Sequence, residues 1–154
     1  MSSASSNTPS TSNTSNTSNT ANTANTPNTA TVRVVRVVTS GTFNLDGGSW
    51  DVDNNVWVVG DNNECIVIDA AHDGRPILVA VGGRRLIALL LTHGHDDHIG
   101  AVSEISDMTG APSYLHPADR VLWDAVYPVT PDGELAHGDV FTGRPLRQDP
   151  ILWL

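Results

Sequence analysis

Leu86-Ile-Ala-Leu-Leu-Leu91, followed at once by Thr92-His93-Gly94-His95-Asp96-Asp97-His98, is the stretch from which both fold and chemistry are legible. A short apolar run that ends in a polar cluster predicts a strand buried on both faces. The cluster after it holds three of the chain's six histidines, with a carboxylate, inside six positions. A shuffled chain of this composition would show the H-x-H-x-D-H spacing on the order of once in a thousand trials. Neutral imidazoles and a carboxylate are ligands that suit zinc, iron or manganese. A loop at the carboxyl end of a strand can aim several side chains at one point, and Gly94 allows the tight turn between two of them. Such polar groups packed against an apolar strand are costly unless something satisfies them, and a metal does so. His93, His95, Asp97 and His98 are therefore the candidate metal ligands. Asp96 is assigned instead to the N-terminus of the helix that follows.

The flanks read as alternating strand and helix, which is α/β behaviour. Upstream, Val32–Val38 is a β-branched run that predicts a strand, and the Gly-, Asp- and Asn-rich residues 41–55 predict a loop or hairpin turn. Val56–Val59 and Cys65–Ile68 predict a hairpin around the polar turn Gly60-Asp-Asn-Asn63. Asp73 is placed to cap a short helix with Pro76 in its first turn and Ile77, Leu78 and Val81 on one face, closed by Gly82-Gly83. Downstream, residues 98–109 carry Ala101, Val102, Ile105 and Met108 at helical spacing, ended by Gly110. Ser113–His116 predicts a short strand. Pro117 then opens a helix with Ala118, Val121, Leu122 and Ala125 inward.

Composition removes several functions. The chain has 154 residues with 8 Lys+Arg against 17 Asp+Glu, a net charge of −9, and every basic residue is Arg. Lys-dependent phosphate loops, Schiff bases and Ser-Lys pairs are thereby excluded. An acidic, Lys-free domain is a poor match for nucleic acid or anionic lipid. No apolar run exceeds the six residues of Leu86–Leu91, too few to span a membrane. The lone cysteine, Cys65, forbids an intrachain disulfide and fits a reducing, cytoplasmic compartment. Residues 1–31 contain only Met, Ser, Thr, Asn, Ala and Pro and read as a disordered leader. Residues 32–154 form the second unit, a domain whose last dozen residues fit neither strand nor helix.

The Thr92–His98 signature resembles that of the metallo-β-lactamase superfamily, and its surroundings are similar to the glyoxalase II-like (hydroxyacylglutathione hydrolase-like) members. Ile66-Val-Ile-Asp69-Ala-Ala71 and the Leu90-Leu-Thr-His93 approach support the likeness, which extends over about residues 32–142. The resemblance implies an α/β fold, the N-terminal half of an αβ/βα sandwich. It implies two zinc ions in the complete site, with iron or manganese as substitutes: His93 and His95 on the first ion, Asp97 and His98 on the second. Asp69 would steady the loop through hydrogen bonds. The implied activity is hydrolysis of a small-molecule thioester by a metal-bound hydroxide, with Asp97 orienting or shuttling the proton.

The same resemblance implies a further histidine for the first ion, and a bridging Asp and last histidine for the second. Residues 99–154 offer only His116 and His137, neither in that setting, and both read as ordinary satisfied or surface histidines. The expectation is thus a shortened domain, broken near Thr142. It is either an inactive fragment with a partial metal site or a subunit completed by another chain, with self-association through an exposed sheet face. His72 reads as a loop histidine near a helix start. Cys65 reads as core, and the four tryptophans as packing residues.

Overall fold

A computed structural model describes residues 31–142 and the backbone of 152–153. The 1–31 leader, apart from Thr31, and the tail after Thr142, apart from that backbone, lie outside the described residues. A six-stranded mixed sheet runs in the order β1-β2-β3-β4-β5-β6. β1 (Arg33–Leu45), β2 (Gly48–Gly60) and β3 (Glu64–Ile68) form an antiparallel meander. β4 (Arg85–Leu91), β5 (Ser113–Leu115) and β6 (Gly133–Glu134) then add in parallel. Parallel neighbours need crossovers, and helices supply the first two. They are α1 (Gly74–Val81), between β3 and β4, and the pair α2 (Asp96–Ile99) and α3 (Val102–Thr109), between β4 and β5. A 3-10 turn at Pro117–Asp119 leads into α4 (Arg120–Asp124). β7 (Val140–Phe141) pairs with β8 (Leu152–Trp153) in a separate two-stranded sheet. This is the mixed α/β architecture expected from the sequence.

The buried run behaves as predicted: Leu89, Leu90 and Leu91 are almost wholly removed from solvent. Period-2 alternation sends Leu89 and Leu91 to the main core with Val56, Val58, Val67, Ile77 and Ile105. Leu90 and Ala88 point to the opposite face with Val59 and Ile66. Asp73 caps α1 through its carboxylate, which accepts from Arg75 N at 3.0 Å, and Gly82 closes it with positive φ.

Three local expectations are corrected. Of the two readings of residues 41–55, the hairpin turn holds and the loop does not. These residues complete β1 and begin β2 in one long hairpin, whose turn is Asp46-Gly47, both with positive φ (49° and 79°). That is the backbone of a primed hairpin turn, which Asp-Gly favours. The helix read over 98–109 is broken at Gly100–Ala101, and Met108 is exposed. After Pro117, Trp123 rather than Val121 enters the core; its indole N–H donates to Val129 O at 2.6 Å, so the ring is buried with its polar atom satisfied.

Arg84 anchors the end of α1. Its buried guanidinium donates to Val81 O (2.8 Å), Ala80 O (2.6 Å) and Asp61 O (3.4 Å). These include carbonyls left without partners at a helix C-terminus, where positive charge is favoured. Arg84→Ala is expected to destabilise the chain by about 2–4 kcal/mol, read as a lowered urea midpoint. A change within about 0.5 kcal/mol, the range of ordinary surface substitutions, would show that the carbonyls are equally well served by water.

Candidate metal centre

β4 delivers Thr92–His98 to the carboxyl edge of the sheet, on the helix-covered face. Gly94 is needed there because a Cβ would come within 2.8 Å of Asp119 O and 3.0 Å of Leu122 Cβ. The loop can therefore lie flat against the turn that opens α4 only without a side chain at that position. The three rings gather: His93 lies 4.9 Å from His95 and 4.1 Å from His98, centroid to centroid. Asp97 Oδ2 is 3.6 Å from His98 Nε2. All four candidate ligands thus share one cluster, while His116 and His137 stand elsewhere. His116 Nδ1 accepts from Ala118 N at 3.2 Å and caps the 3-10 turn, and His137 is exposed in the loop before β7.

Asp69 is the pillar of this loop. It sits at the end of β3 with φ of 58°, a conformation that Asp tolerates better than most residues, and it is buried. Its Oδ1 accepts from Thr92 N (2.8 Å), and its two oxygens share the Thr92 hydroxyl (3.0 and 2.9 Å). His98 Nδ1–H donates to its Oδ2 at 3.0 Å. Because the Thr92 proton goes to Asp69, the Thr92 oxygen is left to accept from His93 Nδ1–H, 3.0 Å away. Both imidazoles are thereby held with Nδ1 engaged and the Nε2 lone pair free, the tautomer that suits ligation through Nε2.

Sequence reasoning missed three residues. Asn54, buried on β2, donates through Nδ2 to Asp97 O (3.0 Å) and Asp97 Oδ2 (2.8 Å). Asn44 on β1 donates from N (3.3 Å) and Nδ2 (2.6 Å) to Asp96, which stands in the first turn of α2 as the sequence assigned it and whose carboxylate also pins the hairpin. Phe43 sets its ring edge-on to His95 at 5.3 Å and contacts the exposed Trp50. The parity of β2 carried a usable signal: Val56 and Val58 face inward, so Asn54 must too, and an inward polar residue needs a partner.

Among the described residues no three His, Cys, Asp or Glu side chains are already closed around a single point. The donor set nevertheless fits a cation. Asp97 Oδ1 is buried with no hydrogen-bond partner, and such an acceptor is expensive unless positive charge meets it. The imidazoles also differ in electrostatics. The hydrogen bond to Asp69 raises the pKa of His98 above 6.5. Burial, with help from the neighbouring imidazoles of His98 and His95, lowers that of His93. In the metal-free chain, the stability contributed by His98 is complete below pH 6.5 and fades as pH rises through its elevated value. His93 acts in reverse, costing stability as pH falls below 6.5. An imidazole-15N NMR titration without metal should show His98 losing its proton after His93. The opposite order would contradict the Asp69 linkage.

The family model of the metallo-beta-lactamase superfamily matches residues 50–153. The chain belongs to that superfamily. The match begins inside the hairpin, at residue 50. A protein of Aquifex aeolicus is 34% identical over 91 residues, covering 51% of this chain and 43% of that relative. A hydroxyacylglutathione hydrolase of Albidiferax ferrireducens is 34% identical over 85 residues, covering 54% of this chain and 32% of the enzyme. The metallo-beta-lactamase FIM-1 from Pseudomonas aeruginosa, solved in a mono-zinc form, superposes with a TM-score of 0.52 at 20% identity. That superposition covers 67% of this chain and 46% of that one, and it shows the shared fold. The chain spans less than half the length of each of these relatives. No helix among the described residues is long and apolar enough to cross a membrane.

Proposed function

We propose that this metallohydrolase-superfamily chain carries a zinc-dependent thioester hydrolase centre on the Thr92–His98 loop, acting on an S-acyl conjugate of a small thiol. The observation that carries the reading is the convergence of His93, His95, Asp97 and His98 beneath one organising carboxylate, Asp69. His93 and His95 would hold one ion, and Asp97 and His98 a second. Zinc, when bound, polarises a carbonyl and makes water nucleophilic near neutral pH. Asp69 and Thr92 would keep the imidazoles in their ligand tautomer, and Asp97 would orient the attacking water and take up its proton. Phe43 and Trp50 supply an apolar wall beside His95 for the acyl group. The thioester preference draws on the similarity to hydroxyacylglutathione hydrolases. The single cysteine, buried and free, fits the proposed cytoplasmic setting.

A second reading has its own observation. Four ligands shared by two ions fall short of the three protein groups that catalytic zinc normally keeps on each. The second sheet face also exposes Val34, Val38 and Trp57 along β1 and β2. In this reading the described residues do not act alone, and the chain self-associates or joins another chain through that face to complete the site. Zinc-loaded full chain incubated with an S-acyl thiol, with free thiol measured over time, separates the two. Turnover above the metal-free control supports the hydrolase, and its absence at every protein concentration favours a site that another chain must complete.

A further inference from the structure

We infer that Asn54 is a positioning residue that holds the Asp97 carboxylate in the plane required by the Asp97–His98 metal position, leaving the His93–His95 position untouched. The inference rests on reading the loop as a metal centre. Asn54 lies in β2 opposite Thr39 of β1, with its side chain buried on the helix-covered face. Its amide faces two acceptors at once, the main-chain oxygen and Oδ2 of Asp97, at 3.0 and 2.8 Å. Only the NH2 end can meet two acceptors, so chemistry fixes the orientation of the amide.

The consequence lies in what the pair of bonds prevents. One bond fixes the Asp97 backbone and the other fixes one carboxylate oxygen, so the carboxylate cannot rotate without losing a buried hydrogen bond. Oδ2 is kept 3.6 Å from His98 Nε2, and Oδ1 is kept buried without a partner. A carboxylate with one oxygen satisfied and the other bare is costly to the metal-free chain and ready for a cation. No hydrogen bond joins Asn54 to His93 or His95 in the described network; those rings are set by Thr92 and by Phe43. Asn54 therefore acts through Asp97 alone.

Cobalt(II) titration of the full chain, followed by visible absorption, tests this. Asn54→Ala removes both donors. Asn54→Asp keeps the shape but sets oxygens against oxygens, and Asn54→Ser restores one donor, with thermal unfolding reporting that each variant folds. His98→Ala and His95→Ala mark which spectral component belongs to which position. The Ala and Asp variants are expected to bind the ion marked by His98→Ala about 10–100-fold more weakly, with Ser intermediate. The ion marked by His95→Ala should bind as in the parent chain. Equal weakening at both positions, or no weakening, overturns the inference. A parent chain that binds no cobalt would instead overturn the metal-centre reading beneath it.

Discussion

Asp69→Ala is expected to lower the stability of the metal-free chain by about 2–4 kcal/mol and to weaken zinc binding about 10–100-fold. The size follows from what one buried carboxylate does: it receives Thr92 N, the Thr92 hydroxyl and His98 Nδ1–H, and through Thr92 it orients His93. Its removal leaves the Thr92 amide unpaired at the point where β4 becomes the loop, and both rings lose their fixed tautomer. Ala also tolerates the 58° φ of this position poorly, a strain that Asp69→Asn avoids. The Asn variant should thus recover part of the stability while remaining weak in zinc affinity, because an amide cannot accept all three donors. Urea unfolding and competition with a chromophoric chelator read the two effects. Zinc affinity unchanged in both variants would remove Asp69 from the account of the site.

Asp97→Asn should reduce thioester turnover by about 10²–10⁴-fold, the range expected on losing a general base, with a smaller effect on KM. The geometry makes this nearly isosteric change severe. Asn54 Nδ2 demands an acceptor, so the new amide turns its oxygen toward Asn54. Its NH2 then takes the place of the unpartnered Oδ1 and offers a donor where the carboxylate offered charge. Proton acceptance and cation attraction disappear together. Release of free thiol from an S-acyl substrate measures the loss. Turnover by the Asn variant within about twofold of the parent would remove Asp97 from a role worth even 0.5 kcal/mol in the transition state.

Where one physical force dominated locally, the sequence was easy to read. Leu86–Leu91 could only be a buried strand, and Asp73, Pro76 and Gly82 left little freedom in the placement of α1. The Thr92–His98 loop stood out because four side chains of ligand type within six residues have few other uses. The hairpin was harder. Residues 41–55 carry polar side chains because part of one face meets solvent and part meets the Thr92–His98 loop, and both uses look like a turn in one dimension. The Asp46-Gly47 turn signal was present but lay among several similar residues. Asn44 and Asn54 were hidden for the same reason: their partners, Asp96 and Asp97, lie 52 and 43 residues away. Trp123 displaced Val121 from the core because the indole fills more volume and finds the Val129 carbonyl for its N–H, an advantage invisible to helical periodicity alone.

His93, His95, Asp97 and His98 are proposed above to bind metal. The most direct test is the zinc content of the gel-filtered full chain by elemental analysis, beside a variant carrying His95→Ala and His98→Ala together. Stoichiometric zinc that survives gel filtration is expected in the parent chain and is lost in the double variant. A parent chain carrying no more zinc than the double variant would contradict the proposal, and would leave the loop as a hydrogen-bonded turn organised by Asp69.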